Sequence, residues 1–243
     1  MVKEFEQFVS KYDLNDYDTN YKYKHSIRVM KICEVLATTL GFSEEDIYIS
    51  KVIGLLHDIG RFEQLKLIGT YNDTEFDHAA YGAMILFKEN LIEQFNINPN
   101  YYDIIEFAIR NHNRYKIEEI SDGRKIMFAK LIRDADKIDI FDAYTYLKDY
   151  NITDNLDEVT NEVSIQFKKC EPINAKIRKT KADKLLSVFA FVFDINFDES
   201  LKIIYSQDFI DELFNQINDN NSFREYYEIV KDYMKERLDE YDG

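Results

Sequence analysis

All four histidines of the chain lie on apolar faces of predicted helices. Their apolar neighbours recur at steps of three and four residues, the spacing of one face of an α-helix. His25, for example, lies four residues before Val29, and Asp136 lies four residues after Ile132. The chain therefore directs a set of titratable groups toward its core: His25, His57, His78, His112 and Asp136, with Asp58 directly after His57.

Imidazoles and carboxylates that face an apolar core need partners there. A buried carboxylate without a partner costs several kcal/mol, and a metal ion is one of the few partners that offset this cost. A single histidine on an apolar face is more often an ordinary core residue, but here every histidine shows the same placement. Four imidazoles and two carboxylates suit Mn, Fe or another first-row divalent ion. Cys33 and Cys170 lie at no metal or redox spacing, and we expect them to be core thiols.

The composition is that of an acidic globular protein. The formal net charge is −15 at pH 7, with 45% hydrophobic and 32% charged residues. Because duplex binding needs clustered Lys and Arg, we expect no duplex nucleic acid as a partner. The most apolar stretch, 185–193, is too short to span a bilayer, and the first residues lack the apolar core of a signal peptide. We therefore expect a cytoplasmic protein without a membrane partner.

Glycine and proline are scarce, with 7 and 2 residues in 243, and this scarcity favours long helices over a many-stranded sheet. The pattern predicts helices near 20–40, 44–59, 78–95, 100–113, 124–148, 182–193 and 222–240. We expect Gly41 and Gly60 to end the first two, with Ser43 as the N-cap of the second. Residues 61–77 are expected to form a loop. The predicted organisation is a core domain over 1–150 and a helical C-terminal extension over 151–243, packed on the core.

The same residues resemble the HD-domain metal-dependent phosphohydrolase superfamily. The likeness rests on KHSIRV (24–29), LLHDIGRFEQ (55–64) and LIRDADKIDIF (131–141). Two further stretches are similar to those that supply extra histidines in two-metal members: DHAAYGAMIL (77–86) and IRNHNRY (109–115). The resemblance covers about residues 20–150, with the ligand types in the family's order. It implies an all-α fold, an HD-domain helical bundle with a C-terminal helical extension.

The resemblance also implies a centre of two divalent ions, Mn, Fe or similar. One ion would be held by His25, His57, Asp58 and Asp136. The other would be held by His78, His112 and, as a bridge, Asp58. Two ions about 3.5–4 Å apart can hold a hydroxide and stabilise the charge that develops on a phosphoryl oxygen. The expected activity is hydrolysis of a phosphate ester, either a nucleotide or a related small phosphate.

Several charged residues near the ligands have roles that the resemblance suggests. Those expected to hold the substrate phosphate are Arg28, Arg61, Lys116 and Lys137. Each could instead be solvated or paired with a neighbouring acid. If all four histidines are ligands, the leaving group must take its proton elsewhere, and Glu63 and Lys116 are the side chains to test. Arg61 and Glu63 thus join Asp58 in the expected catalytic set. Asp77 is expected to N-cap the helix that begins at His78.

Two alternatives remain open. Mixed-valent diiron oxygenases of the HD type resemble the chain in the same six ligands, and in some of them a Lys one turn after the fourth His binds substrate, as Lys116 would. The stretch HDIGRF (57–62) is closer to the hydrolase branch. The other alternative is a nucleotide-sensing HD module, although degenerate members usually lose ligands and this chain has all six. A homodimer that uses the Phe-rich stretch 189–193 is also left open.

Overall fold

The computed structural model describes residues 1–71, 73, 75–147, 153, 155–218 and 220–241. These residues form helices and turns and contain no strand, which confirms the all-α fold class. The chain divides into two compact units, Met1–Asp136 and Lys137–Gly243. The predicted domain border between 150 and 151 lies outside the described residues, so that division stays a prediction. None of the described helices is long and apolar enough to cross a membrane.

The first unit contains most of the long helices. They are α1 (Val2–Val9), α2 (Tyr17–Thr39), α3 (Glu44–Leu56), α4 (Ile59–Ile68), α5 (His78–Ala83), α6 (Tyr102–Asn111) and α7 (Gly123–Thr145), which continues past Asp136. A π-helical turn, Met84–Lys88, follows α5, and 3₁₀ turns at Leu91–Phe95 and Pro99–Tyr101 lead into α6.

The second unit continues with shorter helices. They are α8 (Asn161–Phe167), α9 (Lys181–Phe189), α10 (Asp198–Ser206), α11 (Phe209–Asn215) and α12 (Arg224–Tyr241), with 3₁₀ turns at Ala175–Ile177, Ala190–Asp194 and Asn220–Phe223. Phe189 is 1% exposed, and the Phe193 ring packs edge-on against Phe167 and Tyr233. These aromatic side chains therefore contribute to the core of their own unit.

The end of α2 and the start of α3 lie where the sequence places their caps. The Ser43 hydroxyl accepts a hydrogen bond from the Asp46 N–H, 3.1 Å away, at the start of α3. Gly41 has φ +71°, the left-handed conformation that ends α2. The two helices pack along their length, and Gly54 permits the close approach, because a Cβ there would lie 2.8 Å from the Met30 Cα. The expectations for Gly41 and Ser43 are confirmed.

The expectation that Gly60 ends a helix was wrong. Helix α3 ends at Leu56, His57 and Asp58 form a turn, and Gly60 lies in the first turn of α4. A Cβ on Gly60 would lie 2.1 Å from the His78 carbonyl oxygen, so glycine here allows α4 and α5 to cross closely. The predicted loop over 61–77 is therefore helical as far as Ile68, where Gly69 at φ +67° ends α4.

Other differences concern short elements. The single helix expected near 78–95 is divided into α5, a π-helical turn and a 3₁₀ turn, and the pattern had not predicted α1, α8, α10 or α11. These helices have only six to nine residues, too few to be stable without tertiary packing. Their stability comes from contacts such as those of Phe5 and Phe8 with the Phe62 ring, at centroid distances of 5.9 and 6.1 Å. A local pattern does not contain such contacts.

Candidate metal centre

The first unit brings together all six predicted ligands. His25 lies in α2, and His57 and Asp58 lie in the turn between α3 and α4. His78 is the first residue of α5, His112 directly follows α6, and Asp136 lies in α7. The four histidines and Asp58 are each at most 5% exposed. Three helices, the turn between α3 and α4 and the end of α6 therefore direct these polar side chains to one point.

One half of the cluster consists of His25, His57 and Asp136, which we call the first half-site. The Nε2 atoms of the two histidines lie 3.2 Å apart. The Asp136 Oδ1 atom lies 3.2 Å from the Nε2 of His25 and 3.7 Å from that of His57. One ligand atom from each of the three residues lies within 4.8 Å of the others, a spacing that suits a single ion.

The other half consists of His78 and His112, which we call the second half-site. Their Nε2 atoms lie 3.0 Å apart. Asp58 lies between the halves: its Oδ1 is 3.2 Å from the Nε2 of His78 and 3.4 Å from that of His112. Its Oδ2 is 3.4 Å from the Nε2 of His25 and 3.6 Å from that of His57. Each carboxylate oxygen thus faces one half-site.

Three of the histidines are oriented through the nitrogen that faces away from the cluster. The Nδ1 atoms of His57 and His112 lie 2.8 and 2.7 Å from the carbonyl oxygens of Gly54 and Ile109. Because a carbonyl oxygen only accepts, Nδ1 carries the proton and Nε2 presents its lone pair to the cluster. His78 instead bonds the carboxylate of Asp73, with 2.7 Å between Nδ1 and Oδ1. These contacts place the proton on Nδ1, and this tautomer leaves the Nε2 lone pair available to a metal ion.

The charge states also suit metal binding. Burial raises the pKa of Asp58, but the charge of Lys22 and the contacts with the surrounding histidines outweigh it and hold that pKa well below its usual range. Burial likewise opposes ionisation of Asp136, and the contacts with His25 and His57 keep its pKa well below normal. Burial lowers the pKa of His112 to about 4, so this imidazole is neutral at pH 7. Ionised carboxylates and a neutral imidazole are the forms that coordinate metals.

The donor set therefore fits divalent first-row ions. It offers imidazole nitrogens and carboxylate oxygens without a thiolate, the combination typical of Mn, Fe or Zn sites rather than of soft-metal sites. His57, Asp58 and His112 also present ligand atoms within 4.8 Å of one another, so the turn residues connect the two half-sites.

The remaining predicted site residues have varied surroundings. Arg61 lies beside the cluster, with its Nε 3.7 Å from the Asp58 Oδ1. The Arg28 guanidinium lies over the Tyr21 ring, 5.6 Å from its centroid, and Lys116 is exposed. The Glu63 carboxylate accepts a hydrogen bond from the Tyr12 hydroxyl, 3.1 Å away. In the second unit, the Lys137 ammonium pairs with Asp194 at 2.7 Å. Their catalytic and phosphate-binding roles stay predictions.

Sequence reasoning missed two residues that contact the cluster. The Lys22 ammonium lies 2.7 Å from the Asp58 Oδ2; its position one turn before His25 was the available signal. Asp73 contacts His78 from the loop between α4 and α5, a contact that no spacing rule predicts. Burial opposes its ionisation, but the hydrogen bond from His78 and the charge of Arg61 lower the pKa of Asp73 to about 2. Asp77 does N-cap α5, as expected, by accepting from the Ala80 N–H at 3.0 Å.

Comparison with known proteins agrees with this geometry. The family model of the HD domain matches residues 23–143, a range that includes all six cluster residues. No curated protein and no solved structure matches the chain. The chain belongs to the HD-domain superfamily, whose members are mostly metal-dependent hydrolases.

Proposed function

We propose that this protein is a phosphohydrolase that uses two divalent metal ions to cleave a small phosphate ester, such as a nucleotide. The observation that most supports the proposal is the position of Asp58, which turns one carboxylate oxygen to each half-site. A carboxylate in this position can bridge two ions, and two-metal hydrolases use such a bridge. The family match supports the hydrolase class, and the complete set of six ligands supports a working site.

The cluster residues would divide between the two ions. His25, His57 and Asp136 would hold one ion, His78 and His112 would hold the other, and Asp58 would bridge them. Such a pair of ions supplies Lewis acidity to a phosphoryl oxygen and lowers the pKa of bound water. The chain's own contribution is to fix the imidazole rings, through Nδ1 bonds to acceptors such as the Gly54 carbonyl, so that Nε2 faces the cluster.

Basic residues around the cluster would bind the substrate phosphate. Arg61, beside Asp58, and Arg28, one turn after His25, offer planar guanidinium groups that suit phosphate oxygens. Lys116 is exposed one turn beyond His112, where it would reach a bound ester from solvent. The net charge of −15 does not oppose an anionic substrate, because salt screens distant surface charges beyond about 10 Å. Glu63 or Lys116 would supply the leaving-group proton.

The experiment is to purify the protein without chelator, count its metal ions and then assay a panel of nucleotides and small phosphate esters. We expect about two ions per chain and metal-dependent release of inorganic phosphate. His78→Ala should reduce the count to about one and lower turnover sharply. The matched control is Asn113→Ala, which changes an exposed neighbour of His112. This variant should keep the wild-type metal count and turnover. If His78→Ala retains metal content and activity, the second half-site does not function.

Two results would overturn the proposal. Oxygen consumption and product formation without phosphate release, accompanied by a mixed-valent iron signal, would instead identify the protein as an HD-type oxygenase. Nucleotide binding without turnover in the fully metallated protein would identify it as a sensing module.

A further inference from the structure

His78 is oriented differently from His57 and His112, the other two histidines whose Nδ1 contacts are described. His57 and His112 each bond a carbonyl three residues earlier, in the helix that they follow. These bonds depend only on the local helix. His78 bonds Asp73, a side chain of the loop between α4 and α5, and the Asp73 side chain is 42% exposed. The orientation of His78 therefore depends on the position of a loop.

Asp73 is itself fixed by Arg61. The two terminal nitrogens of the guanidinium donate to the two carboxylate oxygens, at 2.6 and 3.0 Å. This is the bidentate geometry in which arginine binds a carboxylate most strongly. The Gln64 side chain, which is fully buried, accepts from Arg61 at 2.6 Å and donates to the Phe76 carbonyl at 3.3 Å. Residues of α4 thus hold both Asp73 and the loop that carries it.

Arg61 connects this contact to the bridging carboxylate. Its Nε lies 3.7 Å from the Asp58 Oδ1, the oxygen that faces the second half-site. Its terminal nitrogens are used by Asp73 and Gln64. An arginine between two carboxylates stabilises both of them in place. In this geometry Arg61 acts on the cluster through Asp73, whatever it also contributes to phosphate binding.

We propose that Asp73, held by Arg61, is the positioning residue of the second half-site, so that occupancy of that half-site depends on the loop between α4 and α5. The proposal rests on the proposed two-metal function and goes beyond it, because it makes the two half-sites unequal. A carboxylate that bonds the outer nitrogen of a histidine fixes its tautomer and ring orientation, and the loss of such a partner typically costs about 10- to 100-fold in metal affinity. Asp73 acts on the cluster through His78, so the first half-site should keep its affinity.

The first test is a metal titration of the full-length protein with Mn²⁺, comparing wild type, Asp73→Ala and Glu75→Ala. Glu75 is an exposed acid of the same loop, so it is the matched control. We expect Asp73→Ala to weaken only the second ion, by about 10- to 100-fold, and Glu75→Ala to match wild type. Asp73→Asn should lie between, because its amide oxygen still accepts a hydrogen bond. Equal affinity for the second ion in Asp73→Ala and wild type would overturn the proposal.

A second readout is independent of metal and of activity. NMR of the imidazole nitrogens in the metal-free protein reports the tautomer of His78, assigned by comparison with His78→Gln. We expect the Nδ1–H tautomer in wild type and Glu75→Ala, and a mixture of tautomers in Asp73→Ala. An unchanged tautomer in Asp73→Ala would overturn the positioning role even if the protein is a phosphohydrolase. Conversely, wild type that binds two ions without releasing phosphate from any ester would overturn the proposed function alone.

Discussion

The two half-sites of the cluster are built from different kinds of structure. In the first, His25 and Asp136 come from the long helices α2 and α7, of 23 residues each. In the second, His78 begins the six-residue α5, and its ring is oriented from a loop. Long packed helices fix a side chain through many neighbours, whereas a short helix and a loop depend on a few contacts. The first half-site should therefore be the preformed one.

Three features position the second half-site: the crossing of α4 and α5 at Gly60, the Asp73 carboxylate and the helix end at His112. Loss of any of them should affect the second ion before the first. Asp58 is common to both halves, so a change at Asp58 should not distinguish them.

The largest effect should come from Gly60→Ala, which breaks the crossing that places His78 next to Asp58. The added Cβ would lie 2.1 Å from the His78 carbonyl oxygen, so α5 must move. We expect a loss of about 3 kcal/mol in the free energy of unfolding, because neither backbone can yield cheaply. Chemical denaturation measures this loss, and a metal count on the folded fraction should show the second ion lost first.

The matched control is Gly123→Ala, at the start of α7, where an added Cβ meets nothing within 4 Å. This change should be neutral or slightly stabilising, by up to about 1 kcal/mol. If Gly60→Ala lowers the free energy of unfolding no more than Gly123→Ala does, close approach is not the reason for glycine at position 60.

The sequence was sufficient to predict which titratable side chains face the core, because most of them follow helix periodicity. Five of the six cluster residues have apolar neighbours at steps of three and four residues, and Asp58 directly follows His57. The role of Gly60 could not be predicted in this way. A glycine three residues after a histidine is equally consistent with a helix end and with a close crossing, and only the position of α5 distinguishes the two.

Lys22 and Asp73 illustrate the same limit for the site. Each is defined by a contact between residues distant in the sequence or separated by a loop: Lys22 with Asp58 across 36 positions, and Asp73 with His78 across a loop. A charged residue near a ligand in the sequence is common in a chain with 32% charged residues, so proximity alone did not single out either one.

A smaller effect should come from Lys22→Met, which removes the cation paired with the Asp58 oxygen that faces the first half-site. The Lys22 ammonium lies 2.7 Å from the Asp58 Oδ2, and its side chain is 12% exposed. Methionine keeps the apolar stem but leaves the Asp58 carboxylate without this partner, so the metal-free protein should lose about 2 kcal/mol of stability. Divalent ions should reduce the deficit, since they also neutralise Asp58. Thermal unfolding with and without Mn²⁺ measures both quantities.

The control for this comparison is Lys24→Met, which changes an exposed lysine of the same helix. This variant should unfold like wild type. An equal deficit for Lys22→Met with and without Mn²⁺ would mean that Lys22 stabilises the fold independently of the metal centre.

The smallest effect should come from Tyr12→Phe, which separates a structural role of Glu63 from a catalytic one. The Tyr12 hydroxyl donates to the Glu63 carboxylate at 3.1 Å, and its loss should cost about 1 kcal/mol of stability. Burial, assisted by the hydrogen bond to Glu63, raises the pKa of Tyr12. The folded state thus retains the phenol proton more strongly than the unfolded chain. The stabilisation that comes from the raised pKa of Tyr12 is complete at pH values below about 10, the pKa of tyrosine in the unfolded chain. It is lost as the pH rises above that value.

Unfolding of wild type, Tyr12→Phe and the exposed control Tyr48→Phe at pH 7 and at increasing alkaline pH measures this dependence. The difference between wild type and Tyr12→Phe should decrease above about pH 10, and Tyr48→Phe is the variant with which this decrease is compared. Turnover then decides the role of Glu63. If Tyr12→Phe keeps the wild-type rate while Glu63→Gln loses it, Glu63 acts on the substrate. If Glu63→Gln also keeps full turnover, the carboxylate serves only to hold the turn after α1 against α4, and the leaving-group proton comes from another residue, with Lys116 the next to test.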